Sequence, residues 1–153
     1  MGFFNALNTS ASGLTAQRLR LDLIANNLAN ANTTRTAEGG PFRRRVPVLA
    51  TRGGGFIQML QGFMKGGSWL DRAAGLSAGV RVTAVAEDTS PLLVRYDPGH
   101  PDADENGYVE GPNVDVVVEM VDMISATRAY EANLAAIESF KRMATRALDI
   151  GRG

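Results

Sequence analysis

The sequence predicts a mainly α chain with a small β-rich insertion. Long N- and C-terminal helices should pair as an antiparallel coiled coil, with the β-rich element between them. Three observations carry that expectation. Apolar residues recur every seven positions at each end of the chain, glycine and proline concentrate in the middle, and short alternating runs lie between those breakers.

In the first helix Leu7, Leu14, Leu21 and Leu28 are spaced by seven, with Ala11 and Ala25 four residues after Leu7 and Leu21 and Ile24 three after Leu21. Phe3 and Phe4 extend the stripe, so the helix is expected from about Phe3 to Asn30, within an N-terminal segment 1–32. Gln17 and Arg18 interrupt the seam. The helix ends in ANNLANANTTRT, which places four asparagines in seven residues. Asparagine is a mediocre helix former because its amide competes for backbone hydrogen bonds, so this density calls for another reason.

The middle segment, 33–112, carries Gly39-Gly40-Pro41, Gly53-Gly54-Gly55, Gly66-Gly67 and Pro98-Gly99-His100-Pro101. Val80-Arg81-Val82-Thr83 and Leu92-Leu93-Val94-Arg95-Tyr96 alternate as strands do. A variable apolar insertion near 53–78, with the run FIQMLQGFM, reads either as a docking helix or as a loop.

The C-terminal segment, 113–153, holds the second helix, from about Val114 to Leu148. Val116, Met123, Tyr130, Ile137 and Ala144 repeat every seven, with Ala126, Asn133, Phe140 and Ala147 three residues after the last four. Met120, Thr127, Leu134, Lys141 and Leu148 form a second line beside the first. At 1.5 Å per residue such a helix is roughly 50 Å long. Asn113 is the expected N-cap, Asp115 and Glu119 suit the first turn, and Gly151 is the stop.

Composition excludes several classes. Sixteen basic residues balance sixteen acidic ones, which argues against a dedicated nucleic-acid partner. No cysteine is present, so disulfides, thiol catalysis and most structural zinc sites fall away. The Met1–Leu7 start lacks a basic n-region and an apolar h-region, so no cleaved signal peptide is expected, and no run reaches the length of a membrane span. Asp102-Ala103-Asp104-Glu105-Asn106-Gly107 matches half of an EF-hand loop, but Asn113 stands where the bidentate glutamate should be, and prolines bracket the segment. His100, the one histidine, lies in a turn without a catalytic motif. Arg43-Arg44-Arg45 reads as a charge-paired strand or a subunit contact. No active site, metal or cofactor is expected.

Two stretches then carry a resemblance. Ala11-Ser12-Gly13-Leu14-Thr15-Ala16-Gln17 followed by ANNLANANTTRT resembles the N-terminal signature of the bacterial flagellar axial proteins, the family of rod, hook and hook-associated subunits. Asn113-Val114-Asp115, Glu119 to Ile124 and Arg128-Ala129-Tyr130-Glu131-Ala132-Asn133 resemble its C-terminal signature. Tyr96 to Ala103 and Gly107-Tyr108-Val109 are similar to the short rod members. Only about 53–78 falls outside the match.

The resemblance implies a non-enzymatic rod subunit of the basal body that assembles with copies of itself and other rod proteins. It also implies a rod adaptor and the flagellar type III export apparatus as partners, a periplasm-crossing location and no membrane insertion. The expected assembly interface is Leu7, Leu14, Leu21, Ile24, Asn26, Asn27, Leu28, Asn30 and Asn32 on the first helix. On the second it is Val116, Met120, Met123, Tyr130, Asn133, Ile137 and Phe140. Some of the asparagines should bond to neighbouring helices while others cap the helix end, because a buried amide fixes register and partner. A soluble coiled-coil adaptor or chaperone-like module, and an enzyme built on the acidic turn 102–105, are the alternative classes.

Overall fold

A computed structural model of the protein describes residues 3–52 and 79–151. The insertion near 53–78 lies outside the described residues. Two long helices enclose a β-rich middle in chain order: α1 (Phe3–Ala29), β1 (Arg45–Thr51), β2 (Val80–Glu87), β3 (Leu93–Tyr96), β4 (Tyr108–Gly111) and α2 (Val116–Ile150). The strands form two two-stranded sheets, β1 with β2 and β3 with β4. The Tyr108–Gly111 strand carried no alternation clear enough to be expected from the sequence.

The chain divides into two compact units. The first comprises Met1–Arg18, Leu49–Thr83 and Thr127–Gly153, and the second Leu19–Val48 and Ala84–Ala126.

In the first unit the buried residues of α1 are Ser12 and Ala16, and they differ from the leucine stripe. Leu7 and Leu14 flank them, half-buried. The Val80 amide donates to Ser12 Oγ at 3.0 Å, and the Ser12 hydroxyl donates to Thr9 O at 2.7 Å. Gly79 takes a positive φ of 94°, a conformation that suits glycine. A Cβ there would also collide with Ser12 Oγ, so the close approach has two reasons to need glycine. A Cβ on Gly13 would lie 3.1 Å from the Asn133 amide of α2, so the helices meet through small side chains here.

In the second unit the core is Ile24, Phe42, Val109, Val114 and Ala126, together with Asn27 and Glu119. The largest fully buried side chains are these last two, both polar. Arg20 reaches Asp122 and Asn27 reaches Glu119, so α1 rises as α2 falls and the pair is antiparallel. The β3–β4 pairing is antiparallel, with Leu93 opposite Gly111 and Tyr96 opposite Tyr108.

Helix ends follow local chemistry. The start of α2 is capped by Asp115, whose Oδ1 accepts from the Val117 and Val118 amides at 2.8 and 3.2 Å. The expected cap, Asn113, serves elsewhere: its Oδ1 accepts from the Arg44 amide at 2.8 Å and its Nδ2 donates to Asp88 O at 3.0 Å. At the end of α1, Asn30 Nδ2 donates to Asn26 O at 2.9 Å and Asn30 Oδ1 accepts from the Thr33 hydroxyl at 3.3 Å.

Candidate functional site

The second unit is built around a polar cluster that joins the end of α1, the start of β1 and the first turns of α2. Glu119 was expected to complement the dipole of the first turn of α2; it instead points inward and is fully buried. Its Oε1 accepts from Arg44 Nε at 2.5 Å and its Oε2 from Asn27 Nδ2 at 3.1 Å. Arg44 also reaches Asp122 at 3.1 Å and Asp88 at 3.7 Å. Asp122 completes the set through Arg20 at 2.9 Å. A buried carboxylate is tolerated only when paired and hydrogen-bonded, and Glu119 meets both conditions.

Asn27 explains one of the four clustered asparagines. It is 1% exposed. Its Nδ2 donates to Arg45 O at 3.0 Å, and its Oδ1 accepts from the Arg45 amide at 2.9 Å. The side-chain amide thus mimics a neighbouring strand for β1 while also holding Glu119. No aliphatic residue of the same size offers both bonds.

Arg44 and Arg45 of the arginine triplet are charge-paired, and Arg43 bonds to backbone carbonyls. Arg44 enters the cluster, Arg45 lies 3.6 Å from Glu87 and over the Phe42 ring, and Arg43 donates to Asp88 O and Ser90 O. Burial works against the Arg44 charge, but the hydrogen bond and charge of Glu119, then Asp122 and Asp88, outweigh it and raise its pKa. The Asp88 carboxyl is held below the usual carboxylate range, first by the Ser90 hydroxyl and amide and then by Arg44.

Two carboxylates of the acidic turn are taken up by the chain itself, Asp104 within the loop and Asp102 by Thr34. Asp104 Oδ1 accepts from the Asn106 and Tyr108 amides at 2.9 and 2.7 Å, and Asp102 Oδ2 accepts from the Thr34 hydroxyl at 2.8 Å. His100 Nδ1 accepts from the Asp102 amide at 3.1 Å.

The expected interface residues separate into two groups. Ile24 and Asn27 are buried in the second unit, and Leu7, Leu14, Leu21, Leu28, Asn30, Met123, Tyr130, Asn133, Ile137 and Phe140 are half-buried. Asn26 and Asn32 are exposed, as are Val116 and Met120. Beside Met120 the structure presents Val117, Val121 and Ile124, which are 69%, 58% and 54% exposed. Their i, i+4, i+7 spacing sets them on one face of α2. Sequence reading passed over that face because it followed the heptad from Val116 and its neighbour from Met120; the denser line starting at Val117 was there to be read.

Two long helices, one with an exposed apolar stripe, and a pinned β-rich middle define a class of assembling subunit, and comparison with known proteins gives the class its name. Residues 7–35 match the family model described as flagella basal body rod protein, and residues 105–150 match that of the flagellar basal body rod FlgEFG protein C-terminal. The chain is 49% identical over 160 aligned positions to the flagellar basal-body rod protein FlgC of Borreliella burgdorferi, covering all of both chains. It is 44% identical to the FlgC of Bacillus subtilis, over 99% of this chain and 100% of that one, and 37% identical to the FlgC of Salmonella typhimurium at the same coverage. The chain belongs to the flagellar basal-body rod protein FlgC family.

Proposed function

We propose that this protein is a structural, non-enzymatic subunit of the proximal rod of the flagellar basal body. It assembles through its terminal helices into the tubular drive shaft that transmits torque to the hook. Its partners in this reading are copies of itself, FlgB-, FlgF- and FlgG-like rod proteins and the rod adaptor FliE. Export runs through the flagellar type III apparatus without a cleaved signal peptide, and the rod crosses the periplasm. No cofactor, nucleic acid or membrane insertion enters the reading.

The observation that carries it is similarity to flagellar rod proteins along the whole chain. The helices supply a physical reason. Val117, Met120, Val121 and Ile124 leave an apolar face open on α2, and contiguous apolar patches on a soluble subunit mark surfaces that are covered in use. Contacts between different patches of identical subunits propagate as a helix and do not close as a dimer, which suits a tube.

The test is a clean deletion in the source bacterium, scored by motility and by electron microscopy of isolated basal bodies. Rings without a completed rod, restored by the intact gene but not by one lacking residues 114–153, support the reading. Motile cells with intact flagella overturn it.

A further inference from the structure

The β3–β4 ribbon has one edge blocked at Tyr108 and one edge left open. Asp97 N–H donates to Gly107 O at 2.9 Å, which continues the register that pairs Arg95 with Val109 and Leu93 with Gly111. In an antiparallel ladder hydrogen-bonded pairs alternate, so Leu93 and Arg95 turn their backbone groups toward β4. Val94 and Tyr96 turn theirs away. The same parity sends the backbone of Tyr108 to the far side of β4, and there Asp104 occupies it: the Asp104 amide donates to Tyr108 O at 2.9 Å and Asp104 Oδ1 accepts from the Tyr108 amide at 2.7 Å. Among the described residues nothing does the same for Val94 and Tyr96, which are 61% and 64% exposed.

Proteins normally blunt such an edge with charge, proline or a covering loop. Here the β4 edge is covered at Tyr108, while the β3 edge exposes Leu93, at 59%, with Val94 and Tyr96, and carries Arg95 as its one charge. Grooves of about 320 and 610 Å³ lie along the two faces of the ribbon, one lined by Leu93, Arg95 and Val109, the other by Val94, Tyr108 and Glu110. An added strand would extend both.

We propose that the outer edge of β3 takes up an extended segment of a partner protein by antiparallel strand addition, the incoming strand carrying an acidic residue opposite Arg95 and apolar residues on either side of it. Backbone bonds to Val94 and Tyr96 supply the docking, and the flanking side chains supply the choice. The Arg95 guanidinium has five N–H donors, and the structure commits one nitrogen to Asp97 at 3.2 Å. A carboxylate at the non-hydrogen-bonded position opposite Arg95 sits where cross-strand side chains approach most closely. A second copy of β3 fits less well. Pairing Val94 with Tyr96 of that copy sets Arg95 against Arg95, and like charges directly opposite destabilise. Centring on Tyr96 instead sets Val94 against Pro98, which has no N–H, and centring on Val94 reaches past the strand to Leu92.

The test uses the full chain and the blocked peptide acetyl-Thr-Val-Glu-Val-Thr-amide, with ¹⁵N spectra and fluorescence anisotropy as readouts. Binding should shift the Val94 and Tyr96 amides. Methylating the two valine nitrogens, which face the edge, should weaken binding at least about tenfold, while methylating the glutamate nitrogen, which faces away, should leave it within about twofold. V94P should lose about tenfold with an unchanged circular dichroism spectrum, and R95E should prefer the lysine-centred peptide. If V94P does not fold, the methylated peptides and R95E decide. No binding up to about 1 mM, equal binding of the valine-methylated peptide, or a dimer formed through Val94 and Tyr96 overturns the proposal.

Discussion

The two units draw on the same pair of helices and close them by different physics. In the first, contact rests on shape: Ser12, Gly13 and Ala16 are small, and a Cβ at Gly13 would stand 3.1 Å from the Asn133 amide, closer than ordinary packing. In the second, charge and amides join the contact, with Arg44, Glu119, Asp122 and Asn27 set beside the buried apolar residues Ile24, Val114 and Ala126. A shape-based contact tolerates charge changes and fails on added volume. A buried ion pair does the reverse, and it also specifies one register, because a carboxylate has no second place to go.

Removing Arg44 should therefore have the largest effect. Arg44→Met leaves Glu119 charged, buried and held only by Asn27, which should cost about 3–5 kcal/mol. Amide hydrogen exchange should show the loss in Leu19–Val48 and Ala84–Ala126. Adding Glu119→Leu should recover much of it, since a buried pair can be replaced by apolar side chains at little cost. A double variant as unstable as the single one would show that geometry around Arg44, and not its charge, holds the unit. Asn27→Ala comes next, at about 1–3 kcal/mol, because it strands the Arg45 N–H and C=O. Over in the shape-closed unit, Gly13→Leu should cost about 1–3 kcal/mol by overpacking against Asn133. Gly13→Ala should stay near neutral, the better helix propensity of alanine offsetting the tight contact in a thermal melt.

The two kinds of closure were not equally legible. Both helices, the strands at 80–83 and 92–96, and the breaks between them follow from spacing and from glycine and proline, because backbone periodicity is local. The charge-paired reading of the arginine triplet also held for Arg44. What could not be read was which carboxylate Arg44 would choose, 75 positions away along the chain. Glu119 carries every mark of a first-turn residue serving the helix dipole, and only tertiary contact shows it turned inward. The leucine heptad misled in a related way: it is regular, yet Ser12, Ala16, Ile24 and Asn27 form the buried face and the leucines border it. A heptad reports that a helix has partners; small and polar residues beside it decide where the closest one lies.

Acid should sharpen the comparison with a smaller effect. The Asp88 carboxyl titrates below its usual range in the folded chain, so its contribution is present above the unfolded value near 3.9 and is lost as pH falls through the lower folded value. Raising the pH does nothing comparable, since Arg44 stays charged throughout. The gap in melting temperature between the natural chain and Asp88→Asn should be constant from neutral pH down to about 4 and close below it. A gap that persists unchanged at about pH 2 would assign the effect of Asp88 to packing.

The smallest expected change in stability is the most informative about assembly. Asn26 and Asn32 sit in the same asparagine-rich stretch as Asn27 but are exposed. Replacing either by alanine should move stability by no more than about 0.5 kcal/mol. If these two amides bond to neighbouring subunits, the variants should fold normally and still fail to complete the rod in the complemented deletion strain. If both variants assemble as well as the natural chain, the exposed amides are only a polar helix end. The register of the stretch would then be set inside the subunit, by Asn27 alone and its hold on Arg45 and Glu119.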